Sequence, residues 1–213
     1  MKQIFTIITM SFLLSIWCGS TFATEIGYGE IEGGVYKNDY FNMYIEVPKG
    51  WAVQSQAALK ELTDRGGELL VGDDENLKAL LSASDKQTVR MFGFFKYEQG
   101  APVDFNPSVT MAAECVSNFP GIKRGSDYLF HVKKGLQAIQ LQYSFPKEMY
   151  TKDISGVSFD VMPAEISLDN SVFYQEYYSA RIKDYVLTFT LTYSNELEID
   201  ELNQVVGKMK FTK

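Results

Sequence analysis

Histidine and cysteine are scarce in this chain, which has one histidine and two cysteines among 213 residues. Zinc sites draw three or four ligands mainly from His and Cys, so an ordinary zinc site of these residues is excluded. A Ser-His-Asp or Cys-His enzyme would have to use the single histidine, His131. The sequence therefore predicts no catalytic residues, no metal site and no cofactor, and it favours a non-enzymatic role.

Positively charged residues are also scarce: 20 Lys and Arg are outnumbered by 27 Asp and Glu, which gives a net charge of −7. Residues 1–23 carry one charge, Lys2, so without them the balance is 19 basic against 27 acidic residues, or −8. A protein this acidic repels nucleic acid phosphates and anionic lipid surfaces, so neither is an expected partner. The charge favours basic partners or simply keeps the surface solvated.

The N-terminus contains the longest uncharged run of the chain, from Gln3 to Ala23. Apolar residues are densest over Ile4–Trp17, and small residues, Thr21 and Ala23, stand at the −3 and −1 positions of a cleavage site. This pattern predicts a secretory signal peptide over residues 1–23, cleaved after Ala23. The mature protein is therefore expected to be exported, either periplasmic or secreted.

Two other interpretations of the N-terminus stay open. An uncleaved membrane anchor needs about 20 apolar residues, and Ser, Thr and Gly dilute this run. A lipid-modified Cys18 would normally follow a small residue, but Trp17 precedes it. With cleavage after Ala23, Cys115 is the one cysteine of the mature chain, and no intrachain disulfide can form.

Cys115 and His131 are the residues that a cysteine- or triad-based enzyme would have to use. The apolar surroundings of Cys115 predict a buried small hydrophobe, and a thiol dyad with His131 is the alternative. Asp127 precedes His131 by four residues on a predicted helix, so the two side chains are expected to form a surface pair.

Acidic and glycine clusters give no motif for ligand binding. Asp73-Asp74-Glu75 lacks the alternating ligands and central Gly of a calcium loop, and it is predicted to cap a turn or the element that begins near Asn76. Gly33-Gly34 and Gly66-Gly67 lack the spacing of phosphate-binding loops. A carboxylate pair for glycoside hydrolysis would form only in three dimensions, and no sequence pattern marks one.

Alternation of apolar and other residues predicts most of the strands. They cover Met43–Val47, Val89–Tyr97, Val157–Val161, Val172–Ile182 and Tyr185–Tyr193, with Val109–Val116 as a weaker candidate. Leu77–Ala83 is predicted to be a strand that pairs with Val89–Tyr97, and Lys183-Asp184 is predicted to be a hairpin turn. Tyr185–Tyr193 is expected to be half-buried, with its threonines facing water.

Three amphipathic helices are predicted. They are a helix from Ser55 to about Asp64 that Gly66-Gly67 ends, a helix capped by Ser126 with an apolar stripe over Tyr128–Ile139, and a helix after Asn195, which forms a capping-box-like pair with Glu198. Antiparallel strands covered by such helices predict an α+β sandwich, an antiparallel β-sheet with helices packed on its faces. Residues 24–34, rich in Gly and Glu, are predicted to be a flexible leader, and residues 35–213 a single domain.

The chain is rich in aromatic residues, with 13 Tyr and 15 Phe. Phe92, Phe94 and Phe95, close to Tyr97, would suit an apolar pocket or a partner surface. Aromatic residues in strands more often pack in the core or against the neighbouring strand, so a core position is predicted for them.

Two segments resemble PsbP-like domains. Gly33–Trp51, GGVYKNDYFNMYIEVPKGW, is similar to the opening strand and Pro-x-Gly-Trp turn of these domains, and Phe173–Phe211 resembles their closing module of two long strands, a helix and a short strand. Phe105–Val116 and Gly125–Lys134 resemble segments of uncharacterised exported bacterial members. The resemblance implies an α/β/α sandwich, a fold shared with a Ran-binding nuclear import factor. It also implies a non-enzymatic role in docking on a partner, and no partner-binding residue carries over.

These observations favour an exported, non-catalytic binding or docking domain of the bacterial envelope, with a protein or a small ligand as partner. A secreted hydrolase that uses a carboxylate pair or Cys115 is the alternative, and an oligomeric structural component of the envelope is a third hypothesis. No residue pattern identifies the partner.

Overall fold

The computed structural model describes residues 26–168 and 171–212. The predicted signal peptide, residues 1–23, lies outside the described residues and stays a prediction. Four helices lie within the described part: α1 Gln56–Val71, α2 Glu75–Asp85, α3 Gly125–Ala138 and α4 Glu196–Val206. Its strands are β1 Glu30–Glu32, β2 Val35–Asn38, β3 Met43–Glu46, β4 Ala52–Val53, β5 Thr88–Phe95, β6 Ser108–Cys115, β7 Gln142–Ser144, β8 Tyr150–Ile154, β9 Val157–Leu168, β10 Ser171–Ile182, β11 Tyr185–Tyr193 and β12 Lys210–Phe211.

The strands form two antiparallel sheets. The larger sheet has the order β4-β5-β6-β11-β10-β9-β7, and β8 pairs with β9 beyond the end of β7. The smaller sheet has the order β1-β2-β3-β12. The α+β class predicted from the sequence is confirmed, because antiparallel strands are covered by amphipathic helices on both faces of the larger sheet.

The main core lies between the two sheets. Side chains of the smaller sheet, such as Tyr36 and Ile45, pack with Phe94 and Phe189 of the larger sheet, and Leu202 of α4 joins the same cluster. The predicted core position of the Phe92–Phe95 aromatics is confirmed, since all three phenylalanines are buried. The main core therefore lies against one face of the larger sheet.

The opposite face of the larger sheet is covered by the other three helices. Helix α3 buries the predicted stripe, including Tyr128 and Leu136, against Met162 and Val186. Helices α1 and α2 pack on β5, where the Arg90 Nε donates to Thr63 Oγ1 at 3.0 Å and the guanidinium also contacts Asp85. The helices thus lie side by side on this face.

Several expectations about local structure are wrong. Residues 77–83 belong to α2 and not to a strand, because Asp74 caps this helix by accepting from the backbone N–H groups of Asn76 and Leu77. Helix α1 runs on past Gly66-Gly67 to Val71, which is buried. Packing on α2 and β5 offsets the cost of two helical glycines, about 1 kcal/mol each. Helix α3 is capped at Arg124, two residues before the predicted Ser126.

The part of the leader that the structure describes, residues 26–34, also differs from the flexible segment that was predicted. Ile26 is buried, and its carbonyl accepts a hydrogen bond from Asn38 Nδ2 at 3.1 Å. The Tyr28 carbonyl accepts from the Tyr36 hydroxyl at 2.8 Å, and β1 pairs with β2. These contacts attach the segment to the smaller sheet.

Strand β11 is buried along both faces, so the expectation that its threonines face water is wrong. It lies between β6 and β10 in the middle of the larger sheet, with α4 on one face and the α3 cluster on the other. Thr188 shares a hydrogen bond with Ser179 at 2.8 Å, whereas the buried Thr190 Oγ1 has no hydrogen-bond partner within the described part of the chain.

Thr190→Val is expected to raise the free energy of unfolding by about 1 kcal/mol, because a methyl group would replace a buried hydroxyl that lacks a partner. Thr188→Val is the matched control and is expected to lower it by about 1 kcal/mol, because Ser179 then loses its hydrogen bond. Urea denaturation of both variants checks this. Equal destabilisation by the two substitutions would contradict the assignment.

Candidate functional site

Four tyrosines and two glutamates come together on one face of β8–β11. Strand pairing places Glu165, Tyr174 and Tyr193 in one row across three strands. Side chains two residues apart on a strand share a face, so Glu176 and Tyr178 follow on β10, and Tyr150 lies opposite Val161, the partner of Tyr178. We call this set the tyrosine–glutamate face; it comprises Tyr150, Glu165, Tyr174, Glu176, Tyr178 and Tyr193.

Hydrogen bonds and ring contacts hold these side chains in place. Glu176 Oε2 accepts from the Tyr178 hydroxyl at 2.7 Å and from the Tyr150 hydroxyl at 3.4 Å. The rings of Tyr174 and Tyr193 stack, with centroids 5.4 Å apart and planes at 20°. Stacked rings and shared hydroxyls fix the side chains before any ligand arrives, which lowers the entropy cost of binding.

The face is open to solvent at its outer end and closed at its inner end. Tyr150 is 43% exposed, whereas Tyr178 is fully buried beneath it. Glu165, Tyr174 and Tyr193 are half-buried. At the inner end, Lys152 Nζ donates to Asn203 Oδ1 of α4 at 2.9 Å and so links β8 to this helix.

The electrostatics of the face are acidic. Within the described residues, no basic side chain forms an ion pair with Glu165 or Glu176. Burial, together with the nearby Glu176 carboxylate, raises the pKa of Tyr178 and of Tyr193 well above the usual range. Burial also raises the pKa of Tyr150. The tyrosines therefore stay neutral hydrogen-bond donors. The negative charge of the face comes from the two glutamates, and at its closed inner end the Lys152 ammonium lies 5.4 Å from the ring centre of Tyr178 and 3.5 Å from its hydroxyl.

This arrangement suits the binding of a cation. Aromatic ring faces attract ammonium and guanidinium groups, and a carboxylate accepts charge-assisted hydrogen bonds from them. Glu165 and Glu176 also lie on neighbouring strands, at diagonal positions. Two hydroxyl donors already engage Glu176 Oε2.

The structure keeps Cys115 and His131 apart. Cys115 is 3% exposed, packs in the core between the sheets, and its Sγ lies 3.4 Å from Ser117 Oγ. His131 is on α3, which covers the opposite face of the larger sheet. The buried cysteine predicted from the sequence is confirmed, and the thiol dyad is not assembled because the sheet separates the two residues.

Asp127 and Asp74, which the sequence analysis also considered, form contacts that stabilise the fold. Asp127 Oδ2 accepts from the backbone N–H groups of Lys123 and Arg124 at 2.9 and 3.1 Å, and His131 lies edge-on to Phe130 instead. Asp74, from the acidic cluster, caps α2 as described above. The described part of the chain contains no group of three or more His, Cys, Asp or Glu side chains that could hold a metal ion.

One buried acid escaped the sequence analysis. Glu114 of β6 is 2% exposed; its Oε2 accepts from the Tyr128 hydroxyl of α3 at 2.7 Å, and its Oε1 has no partner within the described residues. Burial raises the pKa of this carboxyl to about 7. The sequence feature that could have indicated this buried acid is a glutamate placed inside the apolar run from Met111 to Val116.

The solved structures similar to this chain include a cyanobacterial PsbP, a mycobacterial envelope protein and a protein of unknown function. No protein-family model matches the chain, and no curated protein does. A cyanobacterial PsbP (CyanoP) from Synechocystis sp. PCC 6803 has 12% identity and a TM-score of 0.49, over 86% of this chain and 98% of its own.

The two other structures are bacterial. LpqN, involved in cell envelope biogenesis of Mycobacterium tuberculosis, has 14% identity and a TM-score of 0.44, over 80% of this chain and 83% of its own. A protein of unknown function from Pseudomonas aeruginosa, PA94, described as a putative regulator, has 13% identity and a TM-score of 0.39, over 53% and 73%. Since every TM-score is below 0.5, the α+β class rests on the strand order and helix packing described above.

Within residues 26–168 and 171–212, none of the helices has the length and apolar character needed to span a bilayer.

Proposed function

We propose that this chain is an exported, non-catalytic binding domain of the bacterial envelope whose tyrosine–glutamate face docks on a basic side chain of a partner protein. The observation that carries the proposal is the pair of glutamates, Glu165 and Glu176, set among four tyrosines and left without an ion pair by the rest of the described chain. The predicted signal peptide supports export, and it remains to be tested by N-terminal sequencing of the mature protein.

Charge complementarity selects the kind of partner. The whole chain carries −7, and two of its carboxylates lie on this face beside the exposed ring of Tyr150 and the half-buried rings of Tyr174 and Tyr193. Arginine is the side chain that best combines ring stacking with bidentate hydrogen bonds to a carboxylate. Tyrosine and arginine are also the residues that most often dominate the binding energy of protein interfaces. A partner segment with exposed arginine or lysine therefore fits this face.

The hydrolase alternative is less well supported. Its thiol version fails because Cys115 and His131 lie on opposite sides of the larger sheet. Its carboxylate version rests on a pair of acids that no sequence pattern marks. The docking role requires only groups that the face already presents.

A titration with a defined probe tests the docking role. The acetylated, amidated peptide Gly-Arg-Gly-Arg-Gly is expected to bind the mature protein, and Glu165→Gln/Glu176→Gln is expected to weaken binding about tenfold, or 1.4 kcal/mol. Glu75→Gln, at an exposed glutamate of α2 on the opposite side of the larger sheet, is the control and should bind like the wild type. Calorimetry at low salt gives the affinities, and equal affinity for the matched Gly-Gln-Gly-Gln-Gly peptide would count against the proposal.

The native partner can be sought with the same variants. Tagged mature protein beginning at Thr24 and its Tyr174→Ala/Tyr193→Ala variant would be used to capture envelope proteins for mass spectrometry. A protein retained by the wild type and lost with the variant is the expected result. Identical captures by the two would refute docking through this face, provided that both proteins show the same cooperative thermal unfolding.

A further inference from the structure

The solvent side of α3 carries a concentration of positive charge that is unusual for this chain. The chain as a whole has 20 basic and 27 acidic residues, but residues 121–148 contain five basic and two acidic ones. The basic residues are Lys123, Arg124, Lys133, Lys134 and Lys147, and the acids are Asp127 and Glu148. We call Lys123, Arg124, Phe130, Lys133 and Lys134 the α3 basic surface.

An exposed aromatic ring lies at the centre of this surface. Phe130 is 51% exposed, and Lys134 Nζ lies 4.4 Å from the centre of its ring. On the flank, Lys133 Nζ lies 4.8 Å from the ring centre of Phe145. In each contact an ammonium group lies beside an apolar ring. Protein–protein interfaces also combine polar groups with buried aromatic side chains.

The positive charges of the surface are not neutralised locally. Asp127, the one acid within α3, uses Oδ2 to accept from the backbone N–H groups of Lys123 and Arg124. In the described part of the chain, Lys123, Arg124, Lys133 and Lys134 form no ion pair. Both this surface and the tyrosine–glutamate face thus present charged side chains that form no ion pair within residues 26–168 and 171–212.

The two surfaces lie on opposite sides of the molecule. Helix α3 packs on the side of the larger sheet to which Tyr177 points. Tyr178 and Glu176 flank Tyr177 on β10, so they point to the other side, where the tyrosine–glutamate face lies. Because the two surfaces lie on opposite sides, the basic surface of one molecule can contact the acidic face of a second molecule. The other surface of each molecule stays accessible.

We infer that the α3 basic surface docks on the tyrosine–glutamate face of a second copy of this chain. Lys133 and Lys134 would pair with Glu165 and Glu176, while Phe130 would pack on the tyrosine rings. The inference rests on the proposed function and names one partner for the same face. Such a head-to-tail contact uses two different surfaces, so each copy keeps one surface free and growth can continue. Exposed ion pairs contribute about 0–1 kcal/mol each, so the association is weak, reversible and sensitive to salt.

Charge reversal on each surface tests this inference. Variant one is Lys133→Glu/Lys134→Glu, and variant two is Glu165→Lys/Glu176→Lys. Sedimentation equilibrium of the wild type at low salt is expected to show a mass that rises with concentration, and to show monomer at about 1 M salt, where the Debye length is about 3 Å. Each variant alone is expected to be monomeric. Their mixture is expected to associate, because the unchanged surfaces pair with each other and the two reversed surfaces are again opposite in charge.

Other outcomes overturn the inference in distinguishable ways. A wild type that is monomeric at every concentration and salt overturns it, as does a variant that associates like the wild type. Binding of the arginine peptide by a wild type that shows no self-association would reject this partner and keep the docking role. Co-sedimentation of the monomeric wild type with phosphatidylglycerol vesicles, but not with phosphatidylcholine vesicles, would assign the α3 basic surface to lipid instead.

Discussion

Glu114→Gln is expected to raise the free energy of unfolding by about 3 kcal/mol at pH 8 and to change it little at pH 4. Burial raises the pKa of Glu114 from 4.5 to about 7 in the folded protein. The folded state therefore favours the protonated acid. Wild-type stability is fully present below pH 4.5 and declines as the pH rises through about 7, by 1.36 kcal/mol for each unit of pKa difference. Gln keeps an acceptor for the Tyr128 hydroxyl and cannot ionise.

Urea denaturation of wild type and variant from pH 4 to pH 8 measures this effect. The wild type should lose stability relative to Glu114→Gln across that range, and Glu148→Gln, which replaces an exposed acid, should follow the wild type. Parallel pH profiles for the wild type and Glu114→Gln would contradict the prediction, because they would mean that Glu114 has the same pKa in the folded and unfolded states.

Gly125→Ala is expected to destabilise the protein by about 3 kcal/mol or more. Helix α3 begins so close to β10 that a Cβ on Gly125 would lie 1.9 Å from the carbonyl oxygen of Ser179. The helix is held there by Asp160, whose Oδ2 accepts from the Ser126 N–H at 2.7 Å. Backbone on both sides prevents an easy adjustment, so α3 would have to move away from the sheet.

The matched control is Gly121→Ala, four residues earlier, where an added Cβ has no neighbour within 4 Å. This variant should keep wild-type stability in the same denaturation experiment, to within about 0.5 kcal/mol. Equal stability of Gly125→Ala and Gly121→Ala would mean that α3 is not docked as closely as the structure shows.

Local sequence patterns predicted those elements that are stabilised by their own residues. The strand Met43–Glu46, the hairpin of β10 and β11, and α4 with its Asn195 cap all follow from alternation, turn residues and capping. The α+β class followed from these elements and is confirmed.

Elements that depend on distant contacts were predicted less well. Residues 77–83 of α2 were predicted to be a strand. The acidic cluster around Asp74 was predicted to cap a turn or the element that begins near Asn76, but this did not show that the element is a helix. The burial of the β11 threonines depends on helices that lie far away in sequence. In each case tertiary packing decided what the local pattern left open.

The tyrosine–glutamate face could not be predicted from the sequence. Its six residues belong to four strands. Only the strand register places Glu165, Tyr174 and Tyr193 in one row across three of them. Tyrosine was plainly abundant, with 13 residues, but abundance does not tell which side of a strand each ring occupies. The exclusion of a thiol dyad likewise required the positions of Cys115 and His131 on opposite sides of the sheet.

Chemical-shift mapping by NMR is the most direct test of the central claim, that the tyrosine–glutamate face is a docking site for a basic side chain. Titration of the isotope-labelled mature protein with the Gly-Arg-Gly-Arg-Gly peptide should shift the amide signals of Tyr150, Glu165, Tyr174, Glu176 and Tyr193. The same titration of Glu165→Gln/Glu176→Gln should leave them almost unchanged. Shifts confined to another surface, or equal shifts in the wild type and the variant, would contradict the claim.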